Sequence, residues 1–333
     1  MTTTLSPIAT SSDYWHCYHS AEQIAAISRI VRTRNIVSAN VRLHIDVYPQ
    51  SAADAPLLIL NHGGGGHAGL LAGAALAFHQ QGYVVIVPDQ KGQGRSGGQP
   101  GDFTISEVVQ NIVDVATWAR CNFRGTLFMC GGSIGSGLTY AAAAVLAHRG
   151  QAPAAIACLN LYDFGDPRTG IAFTRFAWLA NLPAVPQGMR AASAALARIA
   201  PGMRFPYRPL ARFRNMVDER DLAQGFYKKW QADPCTLRSV TASYFASMLD
   251  TPFVIPLHRN TKVPVLVINP LRDKMVDPQL TRDCYTRLTG PREYAEICWG
   301  HFSLQADFYR ELLTLGDRWY KRHASCAPYP ASA

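Results

Sequence analysis

The chain has 333 residues, 48% of them hydrophobic and 17% charged, with a formal net charge of +9 at pH 7. These values exclude a disordered segment and allow one large domain or two ordinary ones. No apolar run approaches the roughly 20 residues of a membrane span, and the Thr/Ser-rich start lacks the basic and apolar regions of a secretory signal.

Two β-rich segments come first, 27–39 and 41–49, joined by Ser-Ala-Asn as an antiparallel pair. Short apolar runs then alternate with helical stretches. Strands are expected at 56–62, 83–89, 126–130, 154–164, 263–269 and 293–299. Helical spacing falls at 68–82, 105–120, 136–150, 278–288 and 303–322. Near-continuous apolar strands separated by helices predict a mostly parallel sheet covered on both faces.

Residues 165–257 interrupt the alternation. They hold 12 Lys/Arg against 6 Asp/Glu and many aromatic residues, and read as a helical insertion over one end of the sheet. The expected divisions are a flexible arm at 1–20, a core at 21–164 and 258–323, the insertion at 165–257 and a flexible tail at 324–333. The eight cysteines are scattered without a C-x-x-C pair. They read as reduced thiols in a cytoplasmic protein, with Cys130, Cys158 and Cys298 in or beside buried strands.

The chemistry gathers at strand ends. Gly131-Gly132-Ser133-Ile134-Gly135 follows one strand and opens a helix, the context in which G-x-S-x-G exposes a serine hydroxyl on a tight turn. A capping serine in a Gly-rich turn is the structural alternative. The Ile134 N–H points where an oxyanion would form. NHGGGGHAG, 61–69, follows another strand; its bare glycine backbone suits the second oxyanion donor, with Gly64 first and Gly65 next. His62 and His67 lack carboxylate or thiol neighbours at ligand spacing, so no metal and no cofactor is expected.

A serine of ordinary pKa needs a base and an orienting acid. His301, in the turn after the last apolar strand, is the best placed of the ten histidines. Asp273 sits four residues past a strand end. Asp277-Pro278 reads as a helix cap instead, and Asp163 and Asp166 are rival acids.

The order Ser133, Asp273, His301 resembles the α/β-hydrolases, nearest the branch of monoacylglycerol lipases and serine aminopeptidase-like enzymes. PDQKGQGRSGG (88–98), ISEVVQNIVDVATW, LRDKMVDP and WGHFSL resemble further signatures of that branch. The chain departs from it in carrying Lys91, Gly132, Ser136 and Pro270, and in the run of four glycines.

The resemblance implies an α/β-hydrolase fold with a helical cap insertion. It also implies a serine hydrolase acting through an acyl-enzyme on a small to medium, partly apolar ester or lactone. An acyltransferase, a lyase and a non-catalytic small-molecule receptor remain open on the same fold. No nucleic-acid motif accompanies the basic charge, which instead allows weak contact with an anionic surface through the insertion. Homo-oligomerisation is left open.

Overall fold

The computed structural model describes residues 17–324. Most of the expected arm and nearly all of the expected tail lie outside the described residues. Of the arm, only 17–20 is described, and there Tyr18 and His19 are buried.

The first element differs from the sequence expectation. Helix α1 covers Ala21–Ile30, so Ile27–Ile30 are helical and not the start of a strand. The cause is local. Ser20 Oγ accepts the Gln23 N–H while the Gln23 side chain accepts the Ser20 N–H, a reciprocal cap that starts a helix. Strand β1 follows at Arg32–Ser38 and turns into β2 at Val41–Tyr48. Ala39 and Asn40 make the turn, with φ of 45° and 62°, matching the right-handed twist of the hairpin.

The alternation then runs β3 (Leu57–Asn61), α2 (Ala72–Gln80), β4 (Val84–Pro88), α3 (Ile105–Asn122), β5 (Leu127–Gly132), α4 (Ile134–His148) and β6 (Ala155–Leu159). The intervening segment contains α5 (Pro167–Ala172), α6 (Val185–Ile199), β7 (Arg204–Pro206), α7 (Tyr207–Leu210), α8 (Glu219–Ala223), α9 (Phe226–Ala232), β8 (Ser239–Thr241) and α10 (Ala242–Leu249). It is therefore not purely helical: β7 and β8 form a short antiparallel ribbon. The alternation resumes with β9 (Val265–Pro270), α11 (Pro278–Arg287), β10 (Arg292–Ile297) and α12 (Ala306–His323).

The eight-stranded sheet has the order β1-β2-β4-β3-β5-β6-β9-β10. Only the β1–β2 and β2–β4 pairs are antiparallel. Helices α3, α4 and α11 pack on one face and α1, α2 and α12 on the other. Strands β3, β4, β5, β6, β9 and β10 all point the same way, so the loops after β3, β5, β9 and β10 meet at one edge of the sheet. That edge is where a doubly covered parallel sheet places its site. No helix among the described residues is long and apolar enough to cross a membrane.

Candidate active site

Ser133 sits between β5 and α4 with φ 58° and ψ −134°, a conformation that L residues avoid. It costs about 1–3 kcal/mol and persists only where the surroundings enforce it. The surroundings here are backbone. A Cβ on Gly131 would lie 2.1 Å from Gly135 O, and one on Gly135 would lie 2.4 Å from Asn61 O. Ser133 N–H donates to Leu159 O at 3.0 Å, and Ser136 Oγ lies within bonding reach of both Ser133 O and Asn160 O. Ser136, a departure from the family pattern, thus ties the turn to the end of β6.

His301 lies in the loop after β10 and is buried. Its Nδ1–H donates to Asp273 Oδ2 at 2.6 Å. Asp273, past β9, is itself fixed: Oδ1 accepts the Met275 and Val276 N–H groups at 2.7 and 3.0 Å, and Oδ2 accepts Asn160 Nδ2 at 3.1 Å. With the proton held on Nδ1, Nε2 carries the lone pair. That nitrogen is buried without a hydrogen-bond partner among the described residues. Ser133 and His301 line one cavity.

The rival acids have other duties. Asp163 accepts Arg287 Nη1 at 3.0 Å and the Gly165 N–H at 2.9 Å. Asp166 caps α5, and Asp277 caps α11 ahead of Pro278.

The glycine loop after β3 crosses close over the serine. A Cβ on Gly63 would lie 3.0 Å from Ser133 Cβ, and one on Gly64 would lie 2.5 Å from Ile134 Cδ1. Gly63 and Gly64 line the cavity with Ser133, whereas Gly65, at φ 73°, does not and faces Phe213 and Trp230. The loop is held at both ends. His62 Nδ1 donates to Gly63 O at 2.9 Å while its Nε2 accepts the Gln90 N–H. Burial lowers the His62 pKa to about 4, against the smaller opposing pull of Asp89. At the far end His67 Nε2 donates to Asp233 Oδ2 at 2.7 Å, and Tyr18 OH donates to the same oxygen at 2.6 Å.

Residues that the sequence did not single out support this arrangement. Asn160, at φ 61°, joins β6 to Asp273. Arg212 donates to Met275 O, and Asn215 Nδ2 donates to Lys274 O at 3.1 Å. Asp218 accepts the Gly300 N–H at 2.9 Å, and Asp221 accepts Ser303 Oγ at 2.6 Å. The stretch 212–221 thus holds both the loop of Asp273 and the loop of His301.

A model of the family described as serine aminopeptidase, S33, matches residues 53–302. The chain belongs to this branch of the α/β-hydrolases. The match takes in the glycine loop, Ser133, Asp273 and His301. Solved structures of the same fold include the α/β hydrolase GrgF of Penicillium sp. sh18, at 18% identity and TM-score 0.67 over 89% of this chain and 99% of that one. A Paleococcus ferrophilus monoacylglycerol lipase is 17% identical, with TM-score 0.63 over 84% and 99%. A soluble variant of the Saccharomyces cerevisiae monoglyceride lipase is 13% identical, with TM-score 0.67 over 88% and 95%. No curated protein matches the sequence. Among the cysteines of this hydrolase, Cys158 is buried as the sequence predicts, Cys130 is half-buried and Cys298 is exposed.

Proposed function

We propose that the chain is a serine hydrolase that cleaves a carboxylic ester or lactone of a small to medium, partly apolar substrate. The observation that carries this reading is the buried His301–Asp273 pair, with His301 Nε2 unpartnered among the described residues and with His301 and Ser133 lining one cavity.

His301 Nε2 takes the Ser133 proton as Oγ attacks the substrate carbonyl, and Asp273 steadies the imidazolium. The Ile134 and Gly64 N–H groups receive the oxyanion; each such donor is worth about 3 kcal/mol of transition-state stabilisation. Gly65 is the weaker candidate because it stands off the cavity. His301 then protonates the leaving alcohol, and a water activated by His301 hydrolyses the acyl-enzyme. In this scheme residues 165–257 act as the cap, with 212–221 as the part that touches the catalytic loops.

The test is hydrolysis of p-nitrophenyl butyrate by wild type and by Ser133→Ala, with added alcohols as competing acceptors. The reading expects at least about a thousandfold lower turnover in the variant. Equal rates in both proteins would remove it, and ester products formed from the added alcohol would make the enzyme an acyltransferase.

A further inference from the structure

The cavity beside Ser133 does not lie mainly beneath the intervening segment, which supplies only Phe213 and Met216 to its wall. It passes instead under the elbow, between the sheet and the pair α2 and α12. Its inner wall is formed by Cys130 and Ala157 of the sheet, Ala74 and Phe78 of α2, and Gly316 and Tyr320 of α12.

Two observations mark this as a built passage. Cys130 lies in β5, paired on both sides by β3 and β6, where a side chain covered by helices should be sealed; it is only half-buried. Gly316 occupies the interior of an 18-residue helix, where glycine costs about 0.5–1 kcal/mol relative to alanine. A Cβ there would meet Phe78 Cζ at 3.2 Å and Tyr320 Cε2 at 3.5 Å, so the glycine lets the two rings that close the inner end of the passage pack against α12. The inner wall has no charged group.

We propose that this passage receives the acyl chain of the substrate, a saturated or lightly branched hydrocarbon tail of roughly four to six carbons. The upper limit on length follows from the volume of about 120 Å³ for the whole cavity, its mouth at Ser133 included, somewhat below the roughly 150 Å³ of an apolar cavity that holds benzene. The acyl half is assigned because it stays bonded to Ser133 while the alcohol departs, and the alcohol and the incoming water both need the side of His301. The proposal rests on Ser133 as the nucleophile.

The experiment is a chain-length series of p-nitrophenyl acetate, butyrate, hexanoate and dodecanoate on wild type, Ala74→Phe and Leu312→Ala. Wild type should prefer butyrate or hexanoate. Ala74→Phe fills the passage and should lower the butyrate-to-acetate ratio of kcat/KM at least about tenfold. Leu312 of α12 also lines the cavity; Leu312→Ala widens the passage and should move the optimum to a longer chain. Unchanged ratios in both variants, with Ser133 still required for turnover, would overturn the passage and leave the hydrolase standing.

A binding arm covers the case of no turnover. Hexan-1-ol should raise the Tm of Ser133→Ala and not that of Ser133→Ala/Ala74→Phe. Equal shifts in the two proteins would count against the passage whatever the reaction proves to be.

Discussion

Asp218 accepts the Gly300 N–H at 2.9 Å, one residue before His301. The approach is close: a Cβ on Gly300 would lie 2.8 Å from Asp218 Cα. Asp221, three residues on, accepts Ser303 Oγ, the Leu304 N–H and Gln305 Nε2. The histidine loop is therefore gripped on both sides of His301 by a stretch inserted between β6 and β9. Burial pushes the Asp218 carboxyl up, but the Gly300 and Arg220 N–H groups and the Arg220 guanidinium outweigh it and hold its pKa below the usual value.

Asp218→Ala should lower kcat by about 10- to 100-fold through misplacement of His301, with a smaller change in KM. Steady-state kinetics on the butyrate ester, with the circular dichroism melt as a folding control, checks this. A lowered folded pKa means that the contact stabilises above the unfolded carboxylate value and is lost as pH falls through the folded one. The wild-type acid limb should then be steeper than that of Asp218→Asn, whose side chain does not titrate.

His62 provides a second pH effect, at the glycine loop. Its folded pKa is about 4 against 6.5 for the free side chain. The unfolded chain takes up a proton first, so stability is intact above pH 6.5 and falls as pH drops toward 4. The span corresponds to about 3 kcal/mol at most. Urea unfolding at pH 7.5 and pH 4.5 should show that loss in wild type and a smaller one in His62→Asn.

Glycine substitutions separate the elbow from ordinary helix. Gly135→Ala places a methyl 2.4 Å from Asn61 O and 2.5 Å from His62 O; backbone cannot yield, and the expected loss is about 3 kcal/mol or more. Gly188 in α6 has nothing within 4 Å of an added Cβ, so Gly188→Ala should stabilise by about 0.5–1 kcal/mol. Denaturant midpoints measure both.

Asp233 joins the glycine loop, the 17–20 segment and α9 through His67 and Tyr18. Removing one partner of a buried pair costs about 3–5 kcal/mol, and Asp233→Ala should lose about that much. Urea unfolding gives the loss, and a loss below about 1 kcal/mol would mean that the network is not coupled to folding.

Ser133, Asp273 and His301 were legible as candidates because each follows a strand, and a parallel sheet sends the ends of its strands to one edge. Asp277 was legible as a cap from the proline after it. Asn160, Asp218 and Asp221 were not, because their partners lie far away in sequence and nothing local in LNLYDF or VDERD marks them. The last turn of α1 reads as strand because ISRIVRTRNIV alternates, while the decisive signal is the Ser20–Gln23 cap seven residues upstream of Ile27. The passage beneath the elbow had no local signature: it depends on which side chains across three packed layers are small.

The central claim is that Ser133 is an activated nucleophile served by His301. Intact-mass labelling with a fluorophosphonate on wild type, Ser133→Ala and His301→Ala tests it most directly. The account predicts one adduct on wild type, none on Ser133→Ala and labelling at least about a hundredfold slower on His301→Ala. No adduct on folded wild type, or an adduct that survives in Ser133→Ala, would contradict it.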